Sequence, residues 1–319
     1  MRCLARAGQT ALMRLLPASP SHEAFRALHA QPLDPWRAAL EEVRLRHALP
    51  GGRFTRFPLG KNAVFAVGDV VVKLVPPLWA GDARREVAVR GLLPLPTPEP
   101  VAVGELGAWR YVVTARLPGR PLREVWGELP DPERVRLAGE QVELLRAVQA
   151  VAPGPPGAAE LHFDWPGLLL TQALELPREL SAPPALRESA APFLEGVFRA
   201  GPGFARPHVL LHGDLNFLNL LCQERAGRVA LTALIDWSDA RLGPPGHDLI
   251  SPAVNQFRRD PAARRAWGGV LNLTSEDVRE ATARALLYYP DEWPGILADL
   301  GVEEARDWET VGAALFGLT

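Results

Sequence analysis

Cysteine is nearly absent from this 319-residue chain: only Cys3 and Cys222 occur, far apart and in no CxxC or Cys/His cluster. That excludes a disulfide framework and a thiolate zinc site, and a reducing cytoplasm is the expected compartment. Net charge is also nearly absent, at −2 with a pI of about 6.4. A polyanion binder carries a basic excess, so neither nucleic acid nor an anionic membrane surface is an expected partner. No apolar run approaches the ~20 residues that span a bilayer. At the N-terminus, Gln9 and Arg14 interrupt the apolar residues and no small-residue cleavage pattern follows, so no secretory leader is expected, and Met13 is an equal candidate for the start. Lysine is as scarce as cysteine. Of 35 basic residues only Lys61 and Lys73 are lysines, and a lysine kept in an arginine-rich chain asks for a local reason.

What is present is a chain that is 47% hydrophobic and 23% charged, long enough for about two lobes. Residues 21–49 carry Trp36, Leu40, Val43 and Leu49 at helical spacing after an Asp34-Pro35 start, and Gly51-Gly52 ends them. The pattern then turns to β-type runs, FTRFPL, NAVFAV and VVVKLV, the last two separated by the Gly68-Asp69 turn dipeptide. A short helix is expected over 82–93, closed by the Pro94–Pro100 stretch, and two strands follow in PVAVGEL and AWRYVVTARL. Pro118-Gly119-Arg120-Pro121 breaks the regular structure and marks a lobe boundary. Beyond it a long amphipathic helix is expected over 132–151 and a surface loop at APGPPGA (152–158). The rest reads as helical except for HVLL (208–211) and RVALTALID (228–236). The expected organisation is a helical segment at 1–52, an antiparallel five-stranded lobe at 53–117 and a mainly helical lobe at 118–319, an α+β class.

Between the two late β-type runs lies LHGDLNFLNLL, with His212, Asp214 and Asn219, followed by LIDWSDARLGPPGHDL, with Asp236 and Asp248. An isolated Asp–Asn pair in a loop is usually a turn device. Here the order, spacing and strand context agree with one another, and H-x-D-x(4)-N followed by a strand ending in Asp resembles the catalytic loop and metal-binding aspartate of the aminoglycoside phosphotransferase family. That family is related to the protein kinases. Upstream, LGKNAVFAV resembles the family's phosphate-covering hairpin, VVVKL its nucleotide-lysine strand and TARLPGRPL its hinge. The matching segments run from about residue 59 to 250.

The resemblance implies a bilobal protein-kinase-like fold and transfer of the γ-phosphate of ATP or GTP to a small-molecule hydroxyl, with Mg²⁺. Such transfer needs an oriented hydroxyl, a charge-neutralising metal and cations on the phosphates. Asp214 is then the residue that accepts the acceptor's proton, and Asn219 and Asp236 are the oxygen ligands of the metal. Lys73, partnered by Glu86 on the following helix, faces the α- and β-phosphates. Backbone groups around Gly60–Asn62 are expected on the phosphates, and those of Ala115 and Leu117, beside Thr114, on the base. His212 and Asp248 are expected to support the loop.

There are departures. LGKNAVF has one glycine where protein kinases have G-x-G-x-x-G, the loop reads HGD rather than HRD, and the metal motif reads DWS rather than DFG; these favour the small-molecule branch. Gln149 stands near where relatives often carry a Leu-x-x-Leu-His segment. Over 271–319 ten acidic residues face three arginines. In the family this region helps hold polycationic sugars, but charges on terminal helices are more often solvated faces, so amino alcohols, sugars and nucleosides stand beside aminoglycosides as acceptors. A kinase-fold nucleotide-binding regulator with little turnover is the alternative, against which the intact Lys73, Asp214, Asn219 and Asp236 speak.

Overall fold

The computed structural model describes residues 15–18, 20–58, 60–89, 93, 96–152, 159–200 and 208–319. Met13, most of the expected 152–158 loop and the end of the expected 82–93 helix lie outside them. The chain divides into two units, Met1–Gly91 with Thr97–Pro118 and Leu92–Pro96 with Gly119–Thr319.

In the first unit, α1 (His22–Ala30) and α2 (Arg37–His47) precede β1 (Thr55–Phe57), β2 (Ala63–Val67), β3 (Val70–Val75), α3 (Gly81–Ala88), β4 (Pro100–Leu106) and β5 (Trp109–Ala115). The helical stretch expected over 21–49 is therefore broken. Gln31 adopts an extended conformation that stops α1, and a 3₁₀ turn at Asp34–Trp36 re-aims the chain into α2. The five strands form one antiparallel sheet in the order β1-β2-β3-β5-β4. Side chains alternate across a strand, and that alternation sorts β3 and β5. Val72, Leu74, Tyr111 and Val113 join Phe25, Trp36, Leu40 and Val43 of the helices in one core. The opposite face carries Val75 and Val112, which pack with Ala83 of α3. Lys73 pairs in register with Val112 and falls on this second face. A strand that buries one face on α1 and α2 must present Lys73 to α3.

The second unit is mainly helical: α4 (Arg123–Trp126), α5 (Asp131–Gln149), α6 (Trp165–Glu179), α7 (Pro184–Ala200), α8 (Pro261–Leu271), α9 (Ser275–Tyr288), α10 (Trp293–Leu300) and α11 (Trp308–Leu315). Trp165, Trp267, Trp293 and Trp308 are all buried among them. Five short strands interrupt the helices: β6 (Arg120–Pro121), β7 (Val209–Leu211), β8 (Leu220–Arg225), β9 (Arg228–Leu234) and β10 (Arg241–Gly243). They form a sheet in the order β6-β8-β9 and a β7–β10 ribbon. Strand β8 is absent from the sequence expectations, because LLCQER has no alternation of its own and becomes a strand by pairing with β9. Among the described residues, no helix is long and apolar enough to cross a membrane.

Candidate active site

In the first unit Lys73 Nζ lies 2.6 Å from Glu86 Oε2, both side chains almost wholly buried. Gly60, at φ +103°, begins the bend into β2. Asn62 next to it does not offer its side chain outward. It is 3% exposed, and its Nδ2 donates to Asp82 Oδ2 at 3.1 Å. Asp82 also takes Lys61 at 3.0 Å and Arg85 at 2.6 Å, so the loop is tied to α3 through one buried carboxylate. At the end of β5, the Ala115 N–H donates to the Glu99 carbonyl at 3.1 Å and the Arg116 N–H to Asp69 at 2.8 Å. The Ala115 N–H is thus already engaged. Thr114 is buried beside it, and no hydrogen bond among the described residues takes the backbone of Leu117.

The second unit gathers His212, Asp214, Asn219, Asp236 and Asp248 around the loop between β7 and β8. Asp248, on a 3₁₀ turn at Pro245–Leu249, accepts the N–H of His212 at 2.8 Å and of Gly213 at 2.7 Å. Burial pushes its carboxyl up, against the pull of the two N–H donors. Both nitrogens of the buried His212 ring are occupied. Nε2 faces the Ile235 carbonyl at 3.0 Å and Nδ1 accepts the Asp214 N–H at 3.2 Å. A ring held this way orients the loop and has no nitrogen left for moving substrate protons. Trp237 packs edge-on against it, centroids 4.5 Å apart, which is the packing role of the tryptophan in the DWS motif.

Ile235 joins the two motif segments. Its N–H donates to the Asn219 carbonyl at 2.9 Å while its own carbonyl meets His212, so Asp236 is delivered beside the loop at a fixed register. Asp236 has φ +62° and ψ 71°, a left-handed conformation. A non-glycine residue there costs about 1–3 kcal/mol and marks functional positions, and aspartate tolerates it better than most.

Asp214 is held from three sides. Oδ1 accepts Asn216 Nδ2 at 2.7 Å and the Ser251 hydroxyl at 2.5 Å, and Oδ2 accepts Asn219 Nδ2 at 3.0 Å. Burial pushes the carboxyl up, the Ser251 hydrogen bond pulls it down, and Asp239 and Asp236 push it up again. Asn219 Nδ2 also reaches the Asp214 carbonyl at 2.8 Å. With its nitrogen so tied, the Asn219 amide oxygen is the atom left to meet a cation. Together with the Asp236 carboxylate it makes a hard, all-oxygen donor set suited to Mg²⁺. Among the described residues no cluster of three or more His, Cys, Asp or Glu could hold a metal.

Asn216, an unassigned position inside the motif segment, belongs to this site, as do Ser251, Asn255 and Tyr289, which carry no motif; Ser251 lies 37 residues from the carboxylate it touches. Gln149, the departure noted above, donates Nε2 to the Pro245 carbonyl at 2.9 Å and so anchors the segment that carries Asp248. A groove lined by Leu144, Ala147, Leu231 and Leu234, between α5 and β9, contains none of the predicted site residues.

No curated protein matches the chain. Among solved structures it is similar to the GDP complex of aminoglycoside 2'-phosphotransferase-IIIa, at 18% identity and a TM-score of 0.62, covering 88% of this chain and 96% of that one. It is similar also to the streptomycin–ATP ternary complex of APH(2")-IIa, at 15% identity and a TM-score of 0.54, covering 88% and 97%. A microcompartment-associated aminopropanol kinase shares the fold at 17% identity and a TM-score of 0.53, covering 88% and 94%. These likenesses establish the bilobal kinase-like fold. Residues 54–294 match the model of the Phosphotransferase enzyme family, APH, and the chain belongs to that family.

Proposed function

We propose that the protein transfers the γ-phosphate of ATP or GTP to a hydroxyl of a small molecule, with Asp214 as the group that orients and deprotonates that hydroxyl. The observation that carries this reading is the triple hold on the Asp214 carboxylate by Asn216, Ser251 and Asn219, beside an aspartate in a left-handed conformation. Asn219 Oδ1 and the Asp236 carboxylate would hold Mg²⁺, which supplies charge neutralisation on the transferring phosphates. Lys73, fixed by Glu86, would meet the α- and β-phosphates. In the transfer the acceptor's proton passes to Asp214 and its oxygen bonds to the γ-phosphorus. The bond from that phosphorus to the bridging oxygen breaks, and its electron pair leaves with the nucleoside diphosphate.

The acidic C-terminal region weighs on the choice of acceptor. Asp277 and Asp307 cap helices, Asp299 takes Arg258 and Arg259, and Glu280 is paired with Arg284. Charges committed in this way are poorly placed to cradle a polycation. The acceptor class is therefore kept broad: an amino alcohol, a sugar or amino sugar, or an aminoglycoside.

The test separates the two aspartates. Asp214→Asn is expected to keep nucleotide binding in the presence of Mg²⁺ and to lose transfer by roughly 10²-fold or more, the scale of a lost general base. Asp236→Asn is expected to weaken Mg²⁺-dependent nucleotide binding as well as turnover. Calorimetric titration with nucleotide, combined with single-turnover assays over a panel of hydroxylated acceptors, distinguishes these. Wild-type turnover by Asp214→Asn would remove the base from the scheme.

A further inference from the structure

Ser251 stands just before a π-helical turn, Pro252–Phe257, and its side chain makes no capping hydrogen bond to it; such turns are rare and found often at functional sites. Two amides donate to its hydroxyl oxygen, Asn216 Nδ2 at 2.8 Å and Asn255 Nδ2 at 3.2 Å. A hydroxyl has two lone pairs and one hydrogen, so these amides leave Ser251 acting as a donor. Its shortest contact is Asp214 Oδ1, at 2.5 Å. Asn255 Nδ2 also reaches the Tyr289 hydroxyl at 3.0 Å, which extends the chain of polar contacts to the end of α9. The Tyr289 phenol is pushed up to about 12 by burial and by the charge of Asp214, so it remains protonated.

Counting acceptor sites separates the two carboxylate oxygens. Among the described residues, Oδ1 receives both Asn216 and Ser251, whereas Oδ2 receives Asn219. We infer that Ser251 is a positioning residue for phosphoryl transfer: with Asn216 it saturates Oδ1 and so assigns Oδ2 as the atom that takes the acceptor's proton. This rests on the phosphotransferase reading. The Ser251–Asn255–Tyr289 chain keeps the carboxylate from rotating, and rotation would exchange the two oxygens and swing the free lone pair off the acceptor.

The experiment compares wild type, Ser251→Ala, Ser251→Thr and Asp214→Asn in turnover with nucleotide, Mg²⁺ and an acceptor panel, with nucleotide affinity measured by calorimetry and folding checked by thermal melting. Ser251→Ala is expected to lower kcat about 10- to 100-fold, the scale of a misplaced catalytic group. Its KM and nucleotide affinity are expected to stay within about twofold, as for an interaction made in the transition state. Ser251→Thr keeps the hydroxyl and is expected to recover most of the rate. Should Ser251→Ala turn over like wild type while Asp214→Asn is inactive, or should Ser251→Thr be as slow as Ser251→Ala, the positioning role is overturned and the phosphotransferase reading stands. A wild-type protein that transfers phosphate to no acceptor overturns the reading and this inference together. If Ser251→Ala does not fold, Ser251→Cys, a weaker donor, carries the test; an unchanged kcat in it overturns the role.

Discussion

A methyl group on Gly213 would stand 2.3 Å from the Asp239 carbonyl oxygen, and the residue's φ of +85° already lies where side chains are strained. The HGD spelling of the loop thus has a steric cause: an arginine at this position, as in HRD, would meet the backbone of the turn that follows Asp236. Gly213→Ala is expected to cost at least about 1–3 kcal/mol, the scale of backbone strain, and to depress turnover by displacing Asp214. Denaturant unfolding and a rate assay on the same preparation check both. A second residue carries a pH dependence. Burial holds the His247 imidazole well below its ordinary range, and Arg241 and Arg284 push the same way. The folded state therefore binds no proton there while the unfolded chain takes one up near pH 6.5. This contribution is fully present above that pH and is lost as the pH falls toward the depressed folded value, by about 1.4 kcal/mol per unit for one proton. Urea midpoints taken from pH 7.5 down to 5 should fall more steeply in wild type than in His247→Phe.

At the scale of elements, α9 contains the most consequential pair outside the site. Glu280 Oε1 accepts Arg284 Nη2 at 2.9 Å and Nε at 3.1 Å, one helical turn away and almost fully buried, with the guanidinium lying 5.5 Å from the Trp165 ring centroid. Glu280→Gln would leave a buried guanidinium without its counter-charge and is expected to destabilise by about 3–5 kcal/mol. A double replacement by leucine and methionine should cost much less, and thermal melts of both read the difference. Elements with a local signal were legible from sequence. The β2–β3 hairpin announces itself by Gly68-Asp69 between β-branched runs, and α5 begins within one residue of its expected start. The break between α1 and α2 has a local cause too, although the residue spacing alone runs through it: Pro32 holds the preceding Gln31 in the extended region, and Asp34-Pro35 starts the next turn. Within the site, Asp214, Asn219 and Asp236 could be picked out because their spacing is short and fixed. Ser251, Asn255 and Tyr289 could not, since each reaches the loop from an element that folding alone brings near.

The whole molecule is two units of different construction, a sheet backed by helices and a helical body carrying the loop. Helices α1 and α2 share the core of the sheet, so they fold as part of the first unit. Pro96 belongs with the helical unit, where its carbonyl accepts the Leu234 N–H at 3.4 Å, although β4, just after it, belongs with the sheet. The chain therefore contributes to the units in alternation. Each unit also encloses its own indoles: Trp36 and Trp109 meet at 5.8 Å in the first, and Trp293 and Trp308 at 4.8 Å in the second, all four at most 1% exposed. Intrinsic fluorescence thus carries a contribution from each unit. With Trp36 and Trp109 changed to phenylalanine, Trp79 is the indole left in the first unit against six in the second, and the emission shift on heating is dominated by the helical body. Comparing that curve with the wild-type one then tells whether the sheet melts with its neighbour or ahead of it, with no dye attached.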